Sequence, residues 1–287
     1  MPEPDRKPKS KRFAPWKLGL SVVTGLLIGG AVVGRPLTAP LPGTVEMADM
    51  TWLEVRSAIA HGYTRVIVPS GGIEQNGPHM IMGKHDHIVA FTAHRIASDL
   101  GNTLVAPVVS FVPQGDYVPP TGNMRFPGTI GVPESVFAGT LEGIARSLKS
   151  AGFKSICFIA DHGLSVKPQR EVAERLSREW TNDGVKVISV DDYYIAGGEL
   201  QNVFLKAQGE TPATIGQHAG IADTSELMAV YPQGVDLARF SDLPAFSMES
   251  TGADGDARRA SAERGKRLLE IKIEAAVRQI KAATPGM

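Results

Sequence analysis

Cysteine is almost missing from this 287-residue chain. The single Cys157 excludes an intramolecular disulfide, and its place in the apolar run Ile156-Cys-Phe-Ile159 reads as a small buried hydrophobe, not a nucleophile. Net charge is missing as well: 30 basic residues balance 30 acidic ones. Aromatic residues make up only 6%, and no basic aromatic motif occurs, so neither field nor stacking platform draws the folded part to nucleic acid. A small-molecule or peptide-like ligand is expected instead. No internal repeat recurs. With 43% hydrophobic and 21% charged residues the chain is not disordered and can bury a full globular core.

One long uncharged run is present, from Leu18 to Gly34, preceded by Arg6, Lys7, Lys9, Lys11, Arg12 and Lys17. The pattern reads as a signal anchor or a signal peptide. Neither Leu37-Thr-Ala39 nor Val32-Val-Gly34 is a good cleavage site, which favours the anchor. By the positive-inside rule the protein would be anchored in the inner membrane or exported, with its main domain periplasmic or extracellular. The resulting organisation is a basic tail (1–17), the apolar segment (18–34), a Pro-rich linker (35–46) and a single domain (47–287).

Within that domain strand-like and helix-like patterns alternate, which predicts an α/β fold with a parallel sheet covered by helices. Strands are expected over Arg65–Pro69, Thr103–Val109, Ser155–Ala160 and Lys186–Val190. Helices are expected over Ile88–Leu100, Pro133–Ala151, Pro168–Asn182 and Ala257–Ala282, the last with Leu268, Leu269, Ile273, Ala276, Val277 and Ile280 at helical spacing. The segment from Pro113 to Pro133 carries four glycines and five prolines, and an ordered loop of that length is usually the lid or wall of a site.

Three segments follow predicted strands with ligand-type residues: Glu74 to His87, Asp161-His162-Gly163, and Gln217-His218 to Glu226. In open α/β sheets such strand ends converge on the ligand. The first holds Glu74, His79, His85, Asp86 and His87, the carboxylates and imidazoles that make transition-metal centres. His87 and His94 fall at or inside a predicted helix and are expected in solvent-facing or core-satisfied roles. His79 is expected to make a loop hydrogen bond.

Glu74-Gln-Asn-Gly-Pro-His79 resembles the Glu-Gln-His-Gly-Pro-His signature of the creatininase (creatinine amidohydrolase) family. Phe126-Pro-Gly-Thr-Ile130, Asp161-His-Gly163 and His218-Ala-Gly with Asp223-Thr-Ser225 resemble that family's later motifs, in order. The resemblance covers the domain from about Thr51 onward. It implies a three-layer α/β/α sandwich with a mostly parallel sheet, commonly hexameric, and a two-metal centre that activates water against an amide.

Mapped onto this sequence, the family's ligand set exposes departures. Glu74 and His162 match ligands, but Asn76 stands at a histidine position, His85 at the bridging aspartate with Asp86 next to it, and Leu164 at the closing glutamate. Imidazole offers one lone pair and cannot bridge two cations as a carboxylate does. Glu74, His85 and His162 then form a two-histidine, one-carboxylate set suited to one metal, zinc or alternatively manganese. A register one residue later would use Asp86 and keep two metals weakly. His218 matches the family's proton shuttle, with Gln217 beside it where creatininase has a glutamate; Gln217 and Asn76 are candidate substrate contacts. Asp223 and Glu226 are nearby acids that could orient His218 or coordinate metal.

The expected function is a metal-dependent amidohydrolase acting on a non-peptide C–N bond of a small molecule through activated water. The alternative is a non-catalytic metal- or ligand-binding protein that keeps the fold.

Overall fold

The computed structural model describes residues 41–240 and 247–286. The chain divides into two units, Met1–Leu37 and Thr38–Met287, and every described residue belongs to the second. The transmembrane reading is corrected here: among the described residues no helix is long and apolar enough to cross a membrane. The Leu18–Gly34 stretch that prompted it lies outside the described residues, and the membrane and periplasmic assignments are not carried further.

Four strands, β1 (Arg65–Ser70), β2 (Thr103–Val105), β3 (Ser155–Ala160) and β4 (Lys186–Ser189), form one parallel sheet in the order β2-β1-β3-β4. In the register, Val66 lies beside Leu104 on one side and Ile156 on the other. The helices are α1 (Trp52–Ala60), α2 (Lys84–Leu100), α3 (Glu134–Ala151), α4 (Gly163–Glu179), α5 (Asp191–Gly198), α6 (Leu200–Ala207), α7 (Pro212–Ile215), α8 (Ile221–Val230) and α9 (Ala262–Ala283).

Every residue of β1 and β3 is buried, as expected where helices cover both faces of a parallel sheet. Because successive side chains point to opposite faces, Val66, Val68, Ile156 and Phe158 pack with Phe137, Leu141, Val172 and Leu176 of α3 and α4. Ile67, Cys157 and Ile159 pack instead with Ile88, Ile96, Leu269 and Ile273 of α2 and α9. These two cores separated by the sheet make the three-layer α/β/α sandwich. Cys157 is fully buried and burial pushes its thiol up to about 11, the inert small hydrophobe expected.

Several boundaries differ from the sequence reading. Helix α2 starts at Lys84, four residues before the apolar pattern, because its first turn faces the site and carries polar residues. Helix α4 starts at Gly163 and holds Pro168 inside it. β2 ends at Val105, after which an isolated bridge joins Val109 to Ser70. Helix α9 is capped by Ser261, whose side chain accepts from the Arg264 N–H, so it begins five residues later than expected.

Helices α8 and α9 pack closely at Gly265. A Cβ built there would lie 1.8 Å from the carbonyl oxygen of Ser225, a backbone atom that cannot rotate away. The better helix propensity of alanine, about 1 kcal/mol, is outweighed by overpacking of roughly 3 kcal/mol. Gly265→Ala should therefore lower the melting temperature by roughly 5 °C or more, read by thermal circular dichroism. An unchanged melting temperature would show that the two helices slide apart without cost.

Candidate active site

The site sits beyond the carboxyl ends of β1 and β3, where the sheet delivers three loops. Glu74 comes from the loop between β1 and α2, His85 from the first turn of α2, and Asp161 and His162 directly follow β3. His218 lies in the turn before α8. Asn123 reaches in from the Gly- and Pro-rich loop, which is the wall that its composition suggested.

Glu74 is the centre of this arrangement and is fully buried. Its Oε1 lies 2.8 Å from His85 Nε2 and its Oε2 lies 2.8 Å from His162 Nε2. Asn123 Nδ2 donates to Oε2 at 2.5 Å. The Lys84 ammonium and His218 Nδ1 lie 3.8 and 3.9 Å from Oε1. Burial alone would raise the carboxyl pKa, but the charge of His85 and the hydrogen bonds from both imidazoles hold it well below the usual carboxylate range.

His85 is gripped on both sides, its Nδ1 2.7 Å from Asp161 Oδ2. Burial and the neighbouring Lys84 oppose its protonation, yet Glu74 and Asp161 raise it to about 9. Asp161 in turn accepts from the Tyr193 hydroxyl at 2.7 Å and the Lys272 ammonium at 2.5 Å. Its burial is overcome by Lys272 and His85, which lower its pKa. Lys272 also pairs with Glu226 at 3.2 Å, and the other Glu226 oxygen accepts from Gln201. A partly buried Asp223 closes the group, 3.0 Å from Lys84.

The His218 turn is held by its backbone. Asp254 Oδ1 accepts from the N–H groups of Gln217 and His218 at 2.8 and 2.6 Å, and Asp223 Oδ2 accepts from Ala219 N–H at 2.7 Å. Ala219 adopts a left-handed φ of 53°, a conformation that costs a non-glycine residue about 1 kcal/mol or more and is held by these contacts. His218 Nε2 lies 2.9 Å from both the backbone carbonyl and the side-chain amide nitrogen of Gln75. The carbonyl can only accept and the amide nitrogen only donate, so Nε2 serves one of them at a time, while the other ring nitrogen, Nδ1, faces Glu74. Burial and Lys84 lower the His218 pKa, which favours the neutral ring.

The fold therefore brings Glu74, His85, His162 and His218 together, with Gln217 on the cavity wall. It does not bring Asp86 or Asn76 to the cavity. Asp86 Oδ1 accepts from Gly72 N–H at 2.9 Å and packs so tightly that a Cβ on Gly71 would meet it at 2.0 Å. The Asn76 amide donates to the carbonyls of Glu74, Ile81 and Met82. His79 bonds Thr224 of α8 at 2.9 Å, His87 stacks on Tyr231, and His94 is an exposed partner of Glu46, all three outside the centre. Sequence reasoning missed Lys84, Asn123 and Lys272. Among the described residues no group of three or more His, Cys, Asp or Glu side chains is arranged to hold a metal ion; here the imidazoles bond the carboxylate directly.

The family model described as creatinine amidohydrolase matches residues 48–280. The chain belongs to the creatininase family. Its creatininase-type relatives include the creatinine amidohydrolase of Pseudomonas putida, 26% identical over 84% of this chain and 98% of that protein. The mycofactocin precursor peptide peptidase of Mycolicibacterium smegmatis is also 26% identical, over 77% of this chain and 85% of that protein. A solved manganese creatininase superposes with a TM-score of 0.67 at 25% identity, covering 84% of this chain and 99% of that one. The family is thus one of amidohydrolases with peptidase relatives, and the creatininase sandwich is the fold found here.

Proposed function

We propose that the protein is a single-metal amidohydrolase that cleaves the C–N bond of a small amide outside the peptide class. The observation that carries this reading is Glu74, buried with one oxygen against each of two imidazoles while a third, His218, faces the same carboxylate.

The donor types suit one divalent ion, which Glu74, His85 and His162 would hold in place of their mutual hydrogen bonds. Asp161 on the far nitrogen of His85 is the carboxylate partner that orients a ligating imidazole. A second position does not fit, since Asn76 lies outside the cavity, its N–H groups donating to backbone carbonyls, and Leu164 has no donor atom. Zinc suits the two-histidine, one-carboxylate set, with manganese the alternative that the manganese form of the relative suggests. When bound, such an ion acidifies water and polarises a carbonyl. His218, whose Nδ1 faces Glu74, would take a proton from the nucleophile and return it to the leaving nitrogen. The cavity, of about 560 Å³ with Tyr194, Leu164 and Gln217 on its wall, is in the range for a ligand well beyond a few heavy atoms.

The test is metal analysis of the purified protein by mass spectrometry, followed by an amide panel that includes creatinine, linear amides and short peptides. About one ion per chain and turnover of a non-peptide amide are expected. Turnover of peptides alone would move the substrate to the class of the mycobacterial relative. A metal-free, inactive protein would favour the binding-protein reading.

A further inference from the structure

Helix α5 supplies part of the cavity wall through Tyr194, Gly197 and Gly198. Their spacing of three and four residues sets them on one face of that helix. Tyr194 is a large ring left 40% exposed at the cavity. A Cβ on Gly163, the residue that directly follows His162, would lie 2.5 Å from the Tyr194 hydroxyl oxygen. The side chain that Gly163 lacks therefore makes the room in which this ring stands beside the proposed ligand.

The two glycines of α5 are not explained by the fold. Neither has a left-handed φ. A Cβ on Gly197 would meet only the methylenes of Lys272, at an ordinary 3.6 Å or more, and a Cβ on Gly198 would meet nothing within 4 Å. Glycine is also a poorer helix former than alanine, so helix stability does not call for the pair. What the missing side chains leave free is cavity, next to the Tyr194 ring. We propose that Tyr194, with the bare backbone of Gly197 and Gly198 beside it, forms a subsite for a flat, uncharged substituent of the amide, an aryl group above all. This rests on the amidohydrolase reading above and names the substrate class. A ring laid over the glycines can meet Tyr194 in the offset or edge-on geometry that aromatic pairs prefer. Leu164, 47% exposed in the same cavity, adds apolar surface. None of these four side chains carries a charge, so a charged substituent would give up its hydration there without a partner.

The experiment titrates the purified protein with benzamide, acetamide and 4-carboxybenzamide, followed by ligand-detected NMR, alongside Gly198→Leu and Tyr194→Ala. It reads binding and needs no turnover. The parent should bind benzamide about tenfold or more tighter than acetamide and about tenfold tighter than its charged 4-carboxy derivative. Gly198→Leu projects into open space, so it should keep the parental circular dichroism and melt no lower than the parent, yet lose about tenfold in benzamide affinity. Tyr194→Ala removes an exposed ring and should bring benzamide to within about twofold of acetamide. A parent that binds benzamide no tighter than acetamide, or a folded Gly198→Leu protein that binds it at the parental affinity, would overturn the subsite. Binding that depends on Gly198 and Tyr194 in a protein that hydrolyses no amide of the panel would instead support the subsite and overturn the amidohydrolase reading.

Discussion

Glu74→Gln should lose its divalent ion and its hydrolytic activity together while keeping its fold. Glutamine has nearly the same volume, so the packing around this fully buried side chain is preserved. Its amide, however, carries no charge and turns an N–H group toward either His85 or His162, each now 2.8 Å from a carboxylate oxygen. An N–H cannot ligate a metal. Affinity should drop by roughly a hundredfold or more, since replacing even groups outside the ligand set costs about 10–100-fold. Metal analysis after desalting and far-ultraviolet circular dichroism read the two halves of the prediction. His85→Ala should behave alike, whereas Asp86→Ala should keep its ion because Asp86 is bonded to Gly72 N–H. An Asp86→Ala protein that loses its ion while His85→Ala retains it would transfer the ligand role to Asp86.

His218→Ala should separate chemistry from assembly. His218 makes no short contact with Glu74, lying 3.9 Å away, and its turn is fastened by Asp254 and Asp223 through the backbone. Removing the ring therefore leaves both the turn and the ligand set in place, and metal content should match the parent. Turnover of the amide identified by the panel should fall by roughly a hundredfold or more, the usual contribution of a positioned acid–base group. A variant with parental turnover would remove His218 from the reaction and point to Asp223, 3.0 Å from Lys84 at the same cavity, as the proton carrier.

The sheet was legible because buried parallel strands are written as unbroken apolar runs. Val66 to Val68 and Ile156 to Ile159 needed no tertiary information. The first turn of α2 was not legible. Lys84 and His85 are buried, yet their burial depends on Asp223 and Asp161, far away in sequence, and a polar turn carries no periodicity to read. Helices α5 to α8 are short, from 4 to 10 residues, too brief for a pattern of apolar spacing to stand out. At the site, Glu74, His162 and His218 were found because each sits in a motif at a strand end or helix start. Asn123 lies among glycines and prolines, and Lys272 reads as one more charged residue on a long amphipathic helix, so only three-dimensional packing reveals what they touch.

The direct contacts between Glu74 and its two imidazoles also act on the scaffold that holds them. Glu74 comes from the loop after β1, His85 from the first turn of α2 and His162 from the residue before α4, so one buried carboxylate fastens three separate segments of the chain to one another. The carboxyl edge of the sheet is thereby stitched by the residue at the centre of the site, and rigidity and chemistry share one side chain.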